Sequence, residues 1–139
     1  MPFRVVDVAP VRDFSGEPGL AAAIWPQICA EIERSPLLHC GAHGAADAVL
    51  VVDIKSLEQT IAVTSQSDPS MAAAYRLTVK GLCSLQNVRC GGYFLRDIPV
   101  TASISVPADS SYQDRKYIAL PKLTRDFAAQ IINAIAHPW

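Results

Sequence analysis

Two rhythms of apolar residues run along this chain. The valine-rich stretch from Phe3 to Val11, interrupted by Pro10, reads as a short strand leading into a loop. Asp13 to Gly19 is dense in turn and cap residues, and Leu20, Ile24, Ile28 and Ile32 then recur every four positions, predicting a helix over about 18–34. Pro26 falls inside it, where a missing amide donor and a ring clash predict a kink or a restart. Ser35-Pro36 stops the helix, and a glycine-containing loop precedes the most apolar segment of the chain. In that second strand Ala48, Leu50, Val52 and Ile54 occupy even positions, whereas Leu57, Ile61 and Val63 are odd. A change of parity predicts a bulge near 55–57 or a strand end there.

After a polar turn at 65–70, Ala73, Tyr75, Leu77, Val79, Cys83 and Leu85 alternate with Arg76, Thr78, Lys80 and Ser84, a half-buried third strand. A fourth is read at about Tyr93–Val106, where Pro99 argues for an edge position or a bulge. Beyond the break at 107–114, Leu120, Leu123, Phe127, Ile131 and Ile135 return to spacings of three and four, predicting a second helix that ends at His137-Pro138-Trp139. The expected fold is therefore α+β, a two-layer sandwich in the order β-α-β-β-β-α. It has a four-stranded, mostly antiparallel sheet with both helices packed on one face.

With 139 residues, half of them hydrophobic and 18% charged, the chain suits one domain spanning 1–139 and is not disordered. Its apolar runs are too short for a membrane-spanning helix, and its opening residues lack the pattern of a secretory signal. The net charge of −1 provides no global basic field, and the aromatic residues are scattered, so nucleic acid is not expected as a partner. Charge is nevertheless uneven: Arg76, Lys80, Arg89 and Arg96 fall within 69–96, which contains no acid. Arg76 and Lys80 share a strand face by parity, predicting a basic patch on an exposed sheet face that suits an anionic ligand or acidic partner. The plain alternative is a set of solvated charges that keep that face soluble.

Cys29, Cys40, Cys83 and Cys90 form two close pairs. The spacing favours disulfides 29–40 and 83–90, with four reduced thiols as the alternative. Cys29, His39, Cys40 and His43 have the residue types of a zinc site but not the spacing of a recognised module. There is no nucleophile elbow, P-loop, dinucleotide fingerprint or acidic metal cluster, so neither catalysis nor a cofactor is expected.

The strings Val8 to Leu20, Ala46 to Leu50, Ala74 to Val79 and Ala119 to Ile132 with the terminal Trp139 resemble, in that order, the LptE family, the lipoprotein component of the outer-membrane lipopolysaccharide translocon. The opening strand and its loop, from Val8 to Leu20, match in type. Ala46-Asp47-Ala48-Val49-Leu50 is similar to the start of that family's second strand, and Ala74-Tyr75-Arg76-Leu77-Thr78-Val79 to its third, with alanine at 74 where the family often has an acidic or polar residue. Ala119 to Ile132, followed by the terminal Trp139, looks like the closing helix.

The resemblance implies a non-catalytic domain tethered on the periplasmic side of the outer membrane by a lipidated cysteine upstream of this chain. Such a domain plugs a β-barrel partner of the LptD type and binds lipopolysaccharide. It places Arg76 in the ligand-binding strand, with Lys80 on the same face and Arg89 and Arg96 as further candidates. An oxidising compartment would favour the disulfides. Two rival expectations are an auxiliary lipoprotein of a lipid ABC transporter and a small metal-binding protein.

Overall fold

The computed structural model describes residues 2–41, 44–64, 66–68, 71–108 and 111–138. In chain order the elements are β1 (Val5–Val8), β2 (Arg12–Asp13), α1 (Leu20–Arg34), β3 (His39–Cys40), β4 (Ala48–Thr64), β5 (Ala72–Asn87), β6 (Tyr93–Pro107) and α2 (Tyr112–Ala136).

The sheet differs from the four-stranded, mostly antiparallel one that the pattern predicts. It is a six-stranded mixed sheet in the order β3-β1-β4-β5-β6, with β2 also paired to β4. β4, β5 and β6 form the expected antiparallel meander, whereas β1 lies parallel to both β3 and β4, and β2 parallel to β4. The parallel pairings follow from the α1 crossover, which returns the chain in its original direction. The two added strands are two residues long, too short to show a period, and Pro10 separates β2 from β1. β6 is an edge strand, as Pro99 requires.

The parity change in β4 is a register shift between Ile54 and Ser56. Before it, Ala48, Leu50, Val52 and Ile54 face the core; they meet Leu77, Val79, Cys83 and Leu85 of β5, with Val100, Ala102 and Val106 of β6. Leu20, Ile24, Ile28 and Ile32 of α1 and Leu123, Phe127, Ile131 and Ile135 of α2 cover that same core. α1 runs unbroken through Pro26. No helix is long and apolar enough to cross a membrane among the described residues.

A second stripe of α1, Trp25, Cys29 and Glu33 at spacings of four, lies against the outer edge of the sheet. Three alternate carbonyls of that edge are satisfied in turn. His39 N donates to Arg4 O at 2.8 Å, Gly41 N to Val6 O at 3.0 Å and, where β3 has ended, the Trp25 indole to Val8 O at 3.2 Å. Glu33 Oε1 accepts from Cys40 N at 3.0 Å, and Cys40 Sγ lies 3.9 Å from Cys29 O. The helix thus closes an edge that would otherwise offer unpaired backbone groups.

Asp47, in the string that resembles the LptE second strand, ties three segments together. Its Oδ2 accepts from the amides of Arg4 (3.0 Å) and Val5 (3.2 Å), and its Oδ1 meets Arg89 Nη2 at 2.6 Å. These amides, then Arg89 and Arg4, hold its carboxyl below the usual range. Because the folded pKa is the lower one, this stabilisation is complete above the unfolded value of 3.8 and is lost as pH falls through the folded value. Asp47→Asn should therefore lower Tm at neutral pH, and its Tm curve should converge with the parent's in acid. Parallel thermal melts from pH 7 to pH 2 check this, and a constant gap would refute it.

Candidate functional site

Among the described residues, no layer covers the face of β4, β5 and β6 turned away from the helices. Strand alternation places there the residues between the core positions, and the register sets them in rows. Ser56, Lys80 and Thr101 form one row, Glu58, Thr78 and Ser103 the next, and Thr60, Arg76 and Ser105 the third. Thr78 and Ser103 share a hydrogen bond of 2.9 Å. Lys80 Nζ lies 3.3 Å from Glu58 Oε2, with both side chains about half exposed (52% and 50%), a pair that solvent screens and a ligand can exchange. Arg76 is exposed and has no carboxylate partner among the described residues.

Past the Thr60–Arg76 row the β4–β5 hairpin extends with Ile61, Val63 and Met71, each more than half exposed. Ile61 pairs with Tyr75, which Arg115 of α2 covers, so it lies on the helix side of the hairpin; Arg76 stands in the row next to it and Lys80 two rows further back. Arg96 lines a groove of about 430 Å³ at the other end of the open face, with Ala9, Pro10, Arg12, Val51, Asp53, Ser84, Gln86, Tyr93 and Asp97. It sits 5.0 Å from the Tyr93 ring centroid and 3.9 Å from Asp97 Oδ2. Arg89 is set apart, at the β5–β6 turn, where Asp47 engages it. Of the four basic candidates, the fold brings Arg76 and Lys80 together, keeps Arg96 at a distance on the open face, and gives Arg89 a structural partner.

Arg12 carries a signal that sequence patterning does not reveal. Its Nε and Nη2 form a bidentate contact with Asp53, at 2.6 and 2.9 Å, which fastens β2 to β4. Phe14 lies under the same guanidinium, 6.0 Å from its ring centroid, with Lys55 Nζ at 4.9 Å. The only local hint is a basic residue two positions before an aromatic one inside a turn-rich stretch.

All four cysteines are free thiols. The 83–90 pairing is excluded by the strand itself. Cys83 is buried in the middle of β5, paired with Val52 and Ile98, while Cys90 is exposed in the turn beyond Asn87, its amide donating to Asn87 Oδ1 at 3.1 Å. Four residues of extended strand, roughly 13 Å, separate Cys83 from Asn87, well past the ~7 Å that a disulfide tolerates between α-carbons. Burial pushes the Cys83 thiol up to about 11, as expected for an inert core cysteine. Cys29 and Cys40 are neighbours, and burial, followed by the charge and hydrogen bond of Cys29, pushes Cys40 up to about 12.

His39 precedes Cys40 in β3 and points to the opposite, exposed side, so it does not converge with the thiols; His43 lies outside the described residues. No group of three or more potential metal ligands forms among the described residues.

No protein-family model matches the sequence, and no curated protein matches it. Solved structures do. The hypothetical protein CT253 of Chlamydia trachomatis superposes with a TM-score of 0.64 at 13% identity, over 96% of this chain and 98% of that one. The uncharacterized lipoprotein B of Nitrosomonas europaea gives 0.59 at 13% identity, covering 97% and 81%. Lipoprotein GNA1162 of Neisseria meningitidis gives 0.54, again at 13%, covering 96% and 98%. This chain has a fold found in bacterial lipoproteins. At these identities the likeness is one of fold alone, and it extends over nearly the whole chain.

Proposed function

We propose that this chain is the folded domain of a lipid-anchored envelope protein that supports lipopolysaccharide assembly on the periplasmic side of the outer membrane, working through surfaces and not catalysis. The reading rests on one observation, the open sheet face on which Arg76 and Lys80 stand along a hairpin whose far end exposes Ile61, Val63 and Met71. A glycolipid with phosphates beside acyl chains needs that combination, since cations neutralise the phosphates and apolar side chains receive the hydrocarbon. The shared fold with bacterial lipoproteins and the family-like strings of β4 and β5 support it. The domain would seat in a β-barrel of the LptD type, fill its lumen as a rigid body and present the cationic face to the incoming lipid.

Charge reversal tests the ligand half. Arg76→Glu with Lys80→Glu should weaken binding of purified lipopolysaccharide by about tenfold or more at low ionic strength, with the difference shrinking as salt is added. Thermal stability should hardly move, because both side chains are exposed. Unchanged affinity at low salt would remove the cationic face from the mechanism. Crosslinking of the lipid-anchored precursor in its own envelope tests the partner half: recovery of a large outer-membrane barrel supports the plug, and recovery of transporter subunits instead supports an auxiliary lipoprotein of a lipid transporter.

A further inference from the structure

The joint between α1 and β3 brings two cysteines together on a short edge strand. Cys40 Sγ lies 3.9 Å from the carbonyl of Cys29, and both residues are partly buried. Glu33, one turn further along α1, holds the Cys40 amide at 3.0 Å, which fixes the β3 backbone and aims its thiol at the helix. A groove of about 320 Å³, lined by Asp7, Trp25 and both cysteines among others, opens this joint to solvent and so to a small disulfide reagent. Cys83 and Cys90 stand outside the joint, in the core of β5 and in the β5–β6 turn.

We propose that Cys29 and Cys40 form a disulfide that fastens the edge strand β3 to α1 whenever the chain meets an oxidised thiol compound such as glutathione disulfide. The inference goes beyond the assembly reading and does not depend on it. In the first step the Cys29 thiolate attacks glutathione disulfide, making a mixed disulfide and releasing one glutathione. In the second, Cys40, whose thiol no longer faces the Cys29 charge that helped to raise it, gives up its proton and attacks the Cys29 sulfur of that mixed disulfide, releasing the second glutathione, which takes up the proton. The two cysteines are oxidised, one glutathione disulfide is reduced to two glutathiones, and the two cysteine protons end on them.

The bond would lock the strand end at which the ladder along β1 passes from β3 to the Trp25 indole. Because it ties β3, only two residues long, to a full helix, it removes chain freedom from the unfolded state at the least anchored part of the sheet.

The test uses the full chain carrying Cys90→Ser, which removes the exposed thiol from the turn without touching the joint. After incubation with glutathione disulfide the intact protein should lose about 2 Da, the mass of two hydrogens. Proteolysis without reductant should yield a linked peptide joining Cys29 and Cys40, and alkylation of the unfolded protein should find Cys83 free. Tm should rise by about 8 °C on oxidation and fall back with reductant. Any of three results would overturn the proposal: a stable glutathione adduct with no linked peptide, a link that involves Cys83, or a 29–40 link that leaves Tm unchanged. Lipopolysaccharide binding is a separate readout, so failure here leaves the assembly reading standing.

Discussion

Alanine at position 81 should destabilise the fold by about 2–3 kcal/mol, although it adds a single methyl group. Gly81 sits opposite Ile54, next to the register shift of β4, and on its other side faces Val100. A Cβ there would lie 2.5 Å from the carbonyl oxygen of Asp53 and 3.0 Å from Cζ of Phe127. The first neighbour is backbone and can yield only by shifting β4. The second is the end of a fully buried ring in α2. Gly81 is therefore wedged between the bulged strand and the helix layer, where only hydrogen fits. The same backbone shift would move the Asp53 carboxylate that holds Arg12, so damage in the core would reach the groove on the open face.

Two measurements separate this account from a generic loss of strand propensity. Urea denaturation should show a lower midpoint with an unchanged slope. In a Phe127→Leu background, which lacks Cζ, Gly81→Ala should cost about 0.5–1 kcal/mol less, the coupling expected of two sites that crowd each other. A Gly81→Ala midpoint equal to the parent's would show that the bulge relaxes freely.

How far the molecule could be read from its sequence depended on whether a feature was local. The four-residue spacing of Leu20, Ile24, Ile28 and Ile32 and the alternation of β5 are local, and both elements stand where the periods place them. So is the parity change around Lys55, which marks the register shift. Strand direction is not local. The order strand-helix-strand at the N-terminus carries the parallel signal, but a meander of three later strands outweighs it when length alone is considered. β2 and β3 are defined by partners more than 25 residues away in β4 or beyond the helix in β1, and no window of two residues can show that.

The candidate site divides in the same way. Parity alone puts Arg76 and Lys80 on one face, and they share it. Arg89, a further candidate by position alone, is engaged by Asp47 at 2.6 Å, a contact across 42 residues that depends on the β5–β6 turn folding back beside the start of β4. Among the thiols, a spacing of ten intervening residues brought Cys29 and Cys40 together because a helix end and a turn lie between them. A spacing of six did not do so for Cys83 and Cys90, because extended strand fills the interval.

Glu17 should prove to be the residue on which the start of α2 depends. It lies in the loop before α1, yet its Oε1 accepts from the Tyr112 hydroxyl and its Oε2 from Lys116 Nζ, both at 3.0 Å and across more than 90 residues. The ion pair is mostly sheltered, with side-chain exposures of 18% for Lys116 and 21% for Glu17. Removing the carboxylate therefore strands an ammonium and a phenol together. Glu17→Ala should cost about 2 kcal/mol, whereas Lys116→Met, which removes the cation but keeps the stem, should cost less. The helix starts next to this point: Ser111 caps it by accepting from Asp114 N at 3.2 Å, so fraying should begin at residues 112–116.

Tyr112 supplies an independent readout. Burial first, and then the hydrogen bond and charge of Glu17, raise its pKa above 10.0. With the folded value the higher one, this contribution is intact below the unfolded pKa and is lost as pH rises through the folded value. Glu17→Ala should accordingly move one tyrosine back toward 10 in an absorbance titration near 295 nm, and it should flatten the alkaline fall in stability. A variant with parental stability and an unshifted titration would mean that the contact carries no weight. A loss of stability without the tyrosine shift would assign the effect to Lys116 alone.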